Sequence, residues 1–328
     1  MDKKDKIILY ELDRNARQPL TKIAKKAKLS RESVLYRVRK FRKLGLIRNF
    51  LIVIDMARLG YTHYKIYLKL HNISEDEEKG LISYLCTNPL VSWVASCDGA
   101  YSLIFAIKAR SIVDLNEHMK KLRNKFWQFI KEAETTTNIR GQYFYRDYLV
   151  GNVGTTERII EWGGKPKEVK LDEINGIILD AVSEDPRISA VDIANQTKIS
   201  ADTVIQRLKK LENDKVIQHY MIWPNVNKLM GNYYKVLISL HNINEENENK
   251  LASYCQQNPY IVYSVNAYGR WQFEIDLEVE NVQHFRELIR EFLNKFSDIV
   301  SDYTVLNIYE EYKYRFFEKK ILKAPGES

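Results

Sequence analysis

The stretch SRESVLYRVRKFRKLG, residues 30 to 45, sets six basic side chains and one acid around an apolar stripe. With Val34, Val38 and Phe41 inward at spacings of four and three, a helix here turns Arg31, Glu32, Ser33, Tyr36, Arg39, Lys40 and Lys43 largely outward. A helix of that width fits the major groove of duplex DNA, and its N-terminal residues reach the base edges. Arg31 could fork onto guanine; Ser33 or Tyr36 could bond base edges or phosphate. Arg39, Lys40 and Lys43, with Lys22, Lys25 and Lys26 just upstream, suit phosphates, which give affinity and register rather than sequence choice. Arg37 belongs to the same candidate set, but an ion pair inside the domain explains it at least as well.

The reason for that reservation is a second stretch, SADTVIQRLKKLENDK, residues 200 to 215. It keeps the frame at an offset of 170: Ser30 and Ser200, Val34 and Val204, Arg37 and Arg207, Lys40 and Lys210. It carries four basic residues and three acids. Arg31 gives way to Ala201, Tyr36 to Gln206, Arg42 to Glu212 and Lys43 to Asn213. The apolar positions Val204, Leu208 and Leu211 remain, so this reads as a folded helix that no longer grips DNA strongly. It serves as a spacer, as a protein-contact surface, or as a weak reader raised by its tether to the first. Of the net charge of +8, residues 1 to 50 contribute +11 and residues 171 to 220 contribute −3. An excess confined to one end points to a polyanionic partner there.

The repeat covers nearly the whole chain. Ile23-Ala24 matches Ile193-Ala194, LHNI recurs at 70 and 240, and Asn88-Pro89 matches Asn258-Pro259. YFYR at 143 answers YKYR at 312 with a slip of one. A constant offset of this length means duplication of a domain pair. The four glycines and the proline of 151–170 mark the linker between copies. The 328 residues suffice for several cored domains, and no segment approaches a membrane span or a secretory signal. Cys86, Cys97 and Cys255 form no disulfide set, so a cytoplasmic chain is expected, with no metal site, cofactor or catalytic set.

Three short helices and a strand open each copy. The first runs over 4–15 with Ile7, Ile8 and Leu12 inward and Glu11 outward; Thr21 caps the second; Ser30 caps the third and Gly45 ends it; RNFLIVID at 48–55 is a strand. That is the pattern of a winged helix-turn-helix. There follow a strand at 62–73, a helix at 75–87, strands at 90–97 and 101–109, a helix at 111–130 and a strand at 134–148, the β-α-β-β-α-β order of a ferredoxin-like domain. Its bare sheet face needs a partner, usually a second sheet. The expected class is α+β, with units at 1–58, 59–150, 171–228 and 229–318 and a tail at 319–328. Pairing within one chain and pairing between chains both stay open.

On LDRNARQPLTKIAKKAKLSRESVLYRVRKFRKLGLI at 12–47, the RLGY joining the two parts, and SCDGAYSLIFAIKA at 96–109, the chain resembles the Lrp/AsnC (feast/famine) transcription regulators, here in tandem. The resemblance implies a DNA-binding N-terminal domain and a RAM-type domain that pairs sheet to sheet and senses a small molecule, often an amino acid, near the turn between its central strands. Here that turn is Asp98, Gly99, Ala100 and Tyr101. The family often has Gly-x-x-Asp there, and this chain has Ser102 and Gln272 at the Asp position.

Two other functions share the architecture. Sirohaem decarboxylases resemble the same family, in paired or fused copies. Their His-Asn-Tyr-x-Arg-like stretch would fall on SWVASCDG at 92 or VYSVNAYG at 262, and neither has the His or the Arg in place; Arg270 lies beyond the glycine. An adaptor that binds other regulators and no DNA fits the second copy better than the first. The reading that best joins the basic helix to the duplication is a double-stranded-DNA-binding transcription regulator.

Overall fold

The computed structural model describes residues 1–151, 159–241 and 243–322. The first copy begins with helices α1 (Lys3–Arg14), α2 (Leu20–Ala27) and α3 (Arg31–Lys43) and strand β1 (Ile47–Ile54). It continues with β2 (Thr62–Leu70), α4 (Glu75–Thr87), β3 (Val91–Gly99), β4 (Leu103–Ala109), α5 (Ile112–Phe126) and β5 (Ile130–Phe144). Strand β6 (Ile159–Gly163) follows. The second copy repeats the order as α6 (Glu173–Glu184), α7 (Ala190–Thr197), α8 (Ala201–Asn213), β7 (Ile217–Pro224), the single turn α9 (Val226–Leu229), β8 (Asn232–Leu240), α10 (Glu245–Gln257), β9 (Ile261–Tyr268), β10 (Phe273–Val279), α11 (Val282–Lys295) and β11 (Val300–Tyr314). The α+β class, two winged helix-turn-helix units each followed by a ferredoxin-like unit, is borne out.

Local chemistry explains most boundaries and several differences. Ser30 caps α3 by accepting from the Ser33 N–H at 3.1 Å, and Gly45 ends it at φ +68°. Helix α1 starts at Lys3 through a capping box between Asp2 and Asp5. Thr21 is not a cap: α2 begins one residue earlier, at Leu20, behind Pro19, whose fixed φ suits a helix start. The last strand of the first copy starts at Ile130, four residues before the sequence suggests. Glu11 is buried, not outward, because α1 is covered on two sides. Its own domain packs on one side and β7 of the other copy on the other, where the Ala16 N–H donates to the Tyr220 carbonyl at 2.8 Å.

The two copies pair within the chain. Strands β1 and β7 pair antiparallel and join the two winged helices. The ferredoxin-like sheets fuse into a closed ring in the order β2-β4-β3-β11-β8-β10-β9-β5, with β5 returning to β2. Closure depends on two long strands. The first part of β5 pairs with β2 of its own copy, and its last part, from Thr137, pairs with β9 of the other. Strand β11 does the same with β8 and β3. Residues 151–170, expected as linker, contain β6, which pairs along Arg140–Phe144 of β5.

Alternation along the strands separates two environments. Tyr64, Ile66 and Leu68 of β2 and Phe105 and Ile107 of β4 face α4 and α5; Phe273, Ile275 and Leu277 of β10 face α10 and α11. The opposite faces meet inside the ring. There Lys65 of β2 pairs with Glu274 of β10, and Lys235 of β8 pairs with Asp276 and lies 3.7 Å from Glu274. Tyr67, Trp271 and Tyr233 donate to the same two carboxylates at 2.6, 3.0 and 2.7 Å. Arg146, past the end of β5, bridges Asp13 at 2.6 Å and Glu278 at 2.8 Å. Burial would raise the Glu274 carboxyl, but Lys65 and Lys235 outweigh it and hold it down at about 2. Burial also pulls the imidazole of His63, on the same inner face, down to about 3.

These contacts have measurable consequences. Removing one partner of a buried pair leaves an uncompensated charge, so Lys65→Met is expected to lower unfolding free energy in urea by about 3–5 kcal/mol. Lys65→Met combined with Glu274→Met is expected to recover most of that loss. The two shifted groups act in the same direction with pH. Glu274 stabilises the fold above its unfolded value of about 4.5, and that contribution is lost as pH falls towards 2. The unfolded state protonates His63 near 6.5 while the folded state resists until about 3, which also favours unfolding in acid. Stability is expected to fall steadily below pH 6.5, and His63→Phe to flatten the part of that slope above pH 4.5.

Candidate nucleic-acid interface

Helices α2 and α3 form the helix-turn-helix, with Lys28 at the turn in the left-handed region at φ 52°. Ile23, Ala24 and Ala27 of α2 and Val34, Val38 and Phe41 of α3 are buried. That packing turns Lys22, Lys25, Arg31, Glu32, Tyr36, Arg39, Lys40 and Lys43 out to solvent. Tyr36 is 68% exposed, so its ring is not covered by the helix surface. Arg31 lies 3.6 Å from Glu32, a loose exposed pair that a phosphate or base edge can displace. Ser33 is half-buried, and its hydroxyl accepts from the Ser30 hydroxyl at 2.9 Å. The cap holds it, so it is the least available of the expected base readers.

Two members of the expected DNA-binding set are engaged elsewhere. Arg37 reaches back to the start of α1, where its guanidinium donates to Asp2 at 2.7 Å and to Asp5 at 2.5 Å. The Asp2 and Asp5 hydrogen bonds raise its pKa, and the Arg37 contact in turn lowers the Asp2 carboxyl. Arg207 repeats the contact on Asp172. Arg37 is therefore corrected to a brace that ties α3 to α1, which is why it outlived the loss of charge around it. Lys26 is half exposed but bonds Glu11 at 2.7 Å, so only part of its charge faces outward.

The second head has the same backbone and a different surface. Ser200 caps α8 at 3.1 Å, and Val204, Leu208 and Leu211 are buried. Its outward residues are Asp202, Ile205, Gln206, Lys209, Lys210, Glu212 and Asn213. Only Ile193 of α7 is fully buried, against three residues of α2.

The expected effector turn is brought together, but not as an open pocket. Asp98 and Ala100 are exposed, whereas Tyr101 is buried between Tyr67 and Trp271. Gly99 sits at φ 126°, and a Cβ there would stand 2.7 Å from the Val305 carbonyl oxygen of β11. The turn is thus pressed against the other copy. Ser102 and Gln272 accept from the Leu70 and Leu240 N–H groups at 3.2 and 2.9 Å, matching roles that close strand ends.

A second concave site lies deeper, and the sequence gave no separate signal for it. Between the inner sheet faces and the wing strands is a cavity of about 70 Å³. Its walls include Trp93, Tyr143, Trp162, Trp223 and Tyr263, with Leu51 of β1 and Met221 to Pro224 of β7. Glu311 lines it, accepting from Trp93 at 2.7 Å and Trp223 at 3.1 Å, and burial raises its carboxyl pKa despite those bonds.

Residues 1–42 match the AsnC-type helix-turn-helix domain, and residues 171–218 match a winged helix-turn-helix DNA-binding domain. An uncharacterised HTH-type transcriptional regulator of Pyrococcus furiosus is 32% identical over 127 residues, 38% of this chain and 82% of that protein. The chain belongs to the Lrp/AsnC family of transcriptional regulators. The HTH-type regulator LrpA of Pyrococcus horikoshii is 42% identical over 62 residues, 19% of this chain and 44% of that protein. Among solved structures, the sirohaem decarboxylase NirDL superposes at TM-score 0.61 and 13% identity, over 97% of this chain and 96% of that one. That likeness is one of fold: two fused copies arranged alike. The Pyrococcus furiosus relative matches less than half of this Lrp/AsnC chain, as expected if each copy here is one family unit. Among the described residues no helix is long and apolar enough to cross a membrane.

In this Lrp/AsnC chain the braces and the outward cations separate experimentally. Arg37→Ala and Arg207→Ala are each expected to lower the melting temperature by a few degrees, on loss of about 1 kcal/mol from a half-exposed pair. Arg37→Ala is expected to alter the salt dependence of DNA binding less than Arg39→Ala does.

Proposed function

We propose that this Lrp/AsnC regulator works as a single-chain dimer that grips duplex DNA through its first winged helix. The carrying observation is the contrast between two superimposable heads. The outward surface of α3 carries Arg31, Arg39, Lys40, Arg42 and Lys43 against Glu32, whereas α8 offers Lys209 and Lys210 against Asp202 and Glu212. Helix α3 lies in the major groove. Arg31 and Tyr36 reach base edges from its first turns, and Lys22, Lys25, Arg39, Lys40 and Lys43 neutralise phosphates. The second head contributes a rigid, weakly charged surface whose acids oppose close approach to the phosphate backbone. The ferredoxin-like ring holds the heads at a fixed separation through the β1–β7 pair.

A second reading, decarboxylation of an iron tetrapyrrole, is favoured by the whole-chain likeness to NirDL. The interior cavity of about 70 Å³ opposes it, being several times smaller than such a macrocycle.

Binding to fragmented genomic DNA across a salt series tests the proposal. Replacing Arg31, Arg39 and Lys40 together by Ala is expected to abolish binding at physiological salt and to reduce the log–log salt slope by about 2.7, at roughly 0.9 per phosphate contact. Replacing Lys209 and Lys210 by Ala is expected to leave both nearly unchanged. Equal effects would make both heads readers, and no binding by the unaltered chain at low salt would remove the regulator reading.

A further inference from the structure

The cavity at the centre of the molecule contains three polar side-chain atoms that lack any hydrogen-bond partner: His63 Nε2, Asn138 Oδ1 and Trp162 Nε1. The residues are 7%, 7% and 6% exposed. Protein interiors leave few such atoms unpaired, and three around one small space is a concentration that calls for an occupant. Their chemistry constrains it. The indole N–H of Trp162 only donates, so it needs an acceptor; the carboxamide oxygen of Asn138 needs a donor. His63 is neutral, since burial suppresses its protonation, and adds no charge.

The ionised groups that face the same space are already matched. Lys65 is held by Glu274, Lys235 by Asp276, and Arg146 by Asp13 and Glu278. Glu311 accepts from two indoles and lies near Arg48, which bonds the Glu311 backbone carbonyl at 3.2 Å. Three cations and three carboxylates line the wall (Lys65, Lys235, Arg146; Asp276, Glu278, Glu311), so no net charge remains to compensate a charged guest. The other walls are flat rings. Trp162 stacks on Tyr263 at 6.2 Å and 15°, and His63 meets Trp162 edge-on at 5.3 Å. About 70 Å³ is room for a few waters or one compact ring.

We propose that this cavity binds a small, flat, uncharged molecule that presents a hydrogen-bond donor beside an acceptor, an amide or an azole. The acceptor meets Trp162 Nε1, the donor meets Asn138 Oδ1, and the plane lies among the aromatic walls. Trp162 is delivered by β6 and fits only because residue 141 is glycine; a Cβ there would fall 2.2 Å from the indole. The site also touches Leu51 of β1 and Met221 to Pro224 of β7, the strands that join the two heads. An occupant therefore bears on the relative setting of the winged helices. The binding site stands independently of the DNA reading, and only its role as an effector site rests on that reading.

The test uses the full chain without DNA, with pyrazole and acetamide as probes and acetate and methylammonium as charged controls. Melting temperature and tryptophan fluorescence are followed at millimolar concentrations. Pyrazole or acetamide is expected to raise the melting temperature and perturb fluorescence, and the charged controls to do neither. Trp162→Phe keeps the ring and deletes the unmatched N–H. It is expected to melt no lower than the unaltered chain and to bind pyrazole at least tenfold more weakly. Gly141→Ala, which displaces the indole, is a second variant expected to lose binding. No response to either neutral probe, a response equal to that of the charged controls, or undiminished binding by Trp162→Phe overturns the proposal. A DNA arm at fixed salt then reads the coupling: binding of pyrazole by a chain that shows no DNA affinity keeps the site and removes the regulator reading.

Discussion

The arrangement of the molecule depends on which charges meet inside the sheet ring. Both copies carry a lysine at the same inner position, Lys65 and Lys235. Only the second copy carries acids opposite, Glu274, Asp276 and Glu278, where the first has Ile104, Ala106 and Lys108. Two first copies face to face would bury lysines without partners, and two second copies would bury a surplus of carboxylates. Either arrangement is heavily penalised in a low-dielectric interior. The mixed pairing satisfies every one of these ions. Buried ion pairs contribute little net stability, so their weight lies in excluding the wrong partner. The swap of β5 and β11 between sheets, the β1–β7 pair and the separation of the heads all follow from that choice.

Ring closure also disposes of exposed strand edges, with one asymmetry. Beside the last part of β5 lies β6, an element of the connecting segment. No described strand takes the corresponding place beside the last part of β11. Side chains cover it instead: Asn227 donates to the Tyr309 carbonyl at 2.8 Å and Arg48 to that of Glu311 at 3.2 Å. An open row of carbonyls invites pairing with another chain, and these two contacts blunt it.

Much of this was legible in the residues. The helix-turn-helix followed from the stripe of Val34, Val38 and Phe41, the ferredoxin-like order from strand and helix periods, and the duplication from a constant offset. The structural role of Arg37 was half visible, because Arg207 persists where neighbouring cations do not. The harder features are contacts between segments far apart in the chain. FEIDLEV reads locally as a half-exposed strand with acids towards water, and only the lysines of two other strands turn it into an interior. Glu11 appears solvated until β7 arrives from the other copy. The strand at 159–163 hides among glycines whose composition suggests a loop, because its partner β5 supplies the order. The internal cavity has no local signature at all, being assembled from β2, β5, β6, β7, β9 and β11.

A dimer of identical chains looks the same from either end of its twofold axis. This chain does not, because one head is basic and the other acidic while the β1–β7 pair fixes them together. Laid along a duplex, the molecule has a front and a back. It can occupy one stretch of DNA in two distinguishable orientations, so a bound copy marks a direction along the chromosome as well as a place.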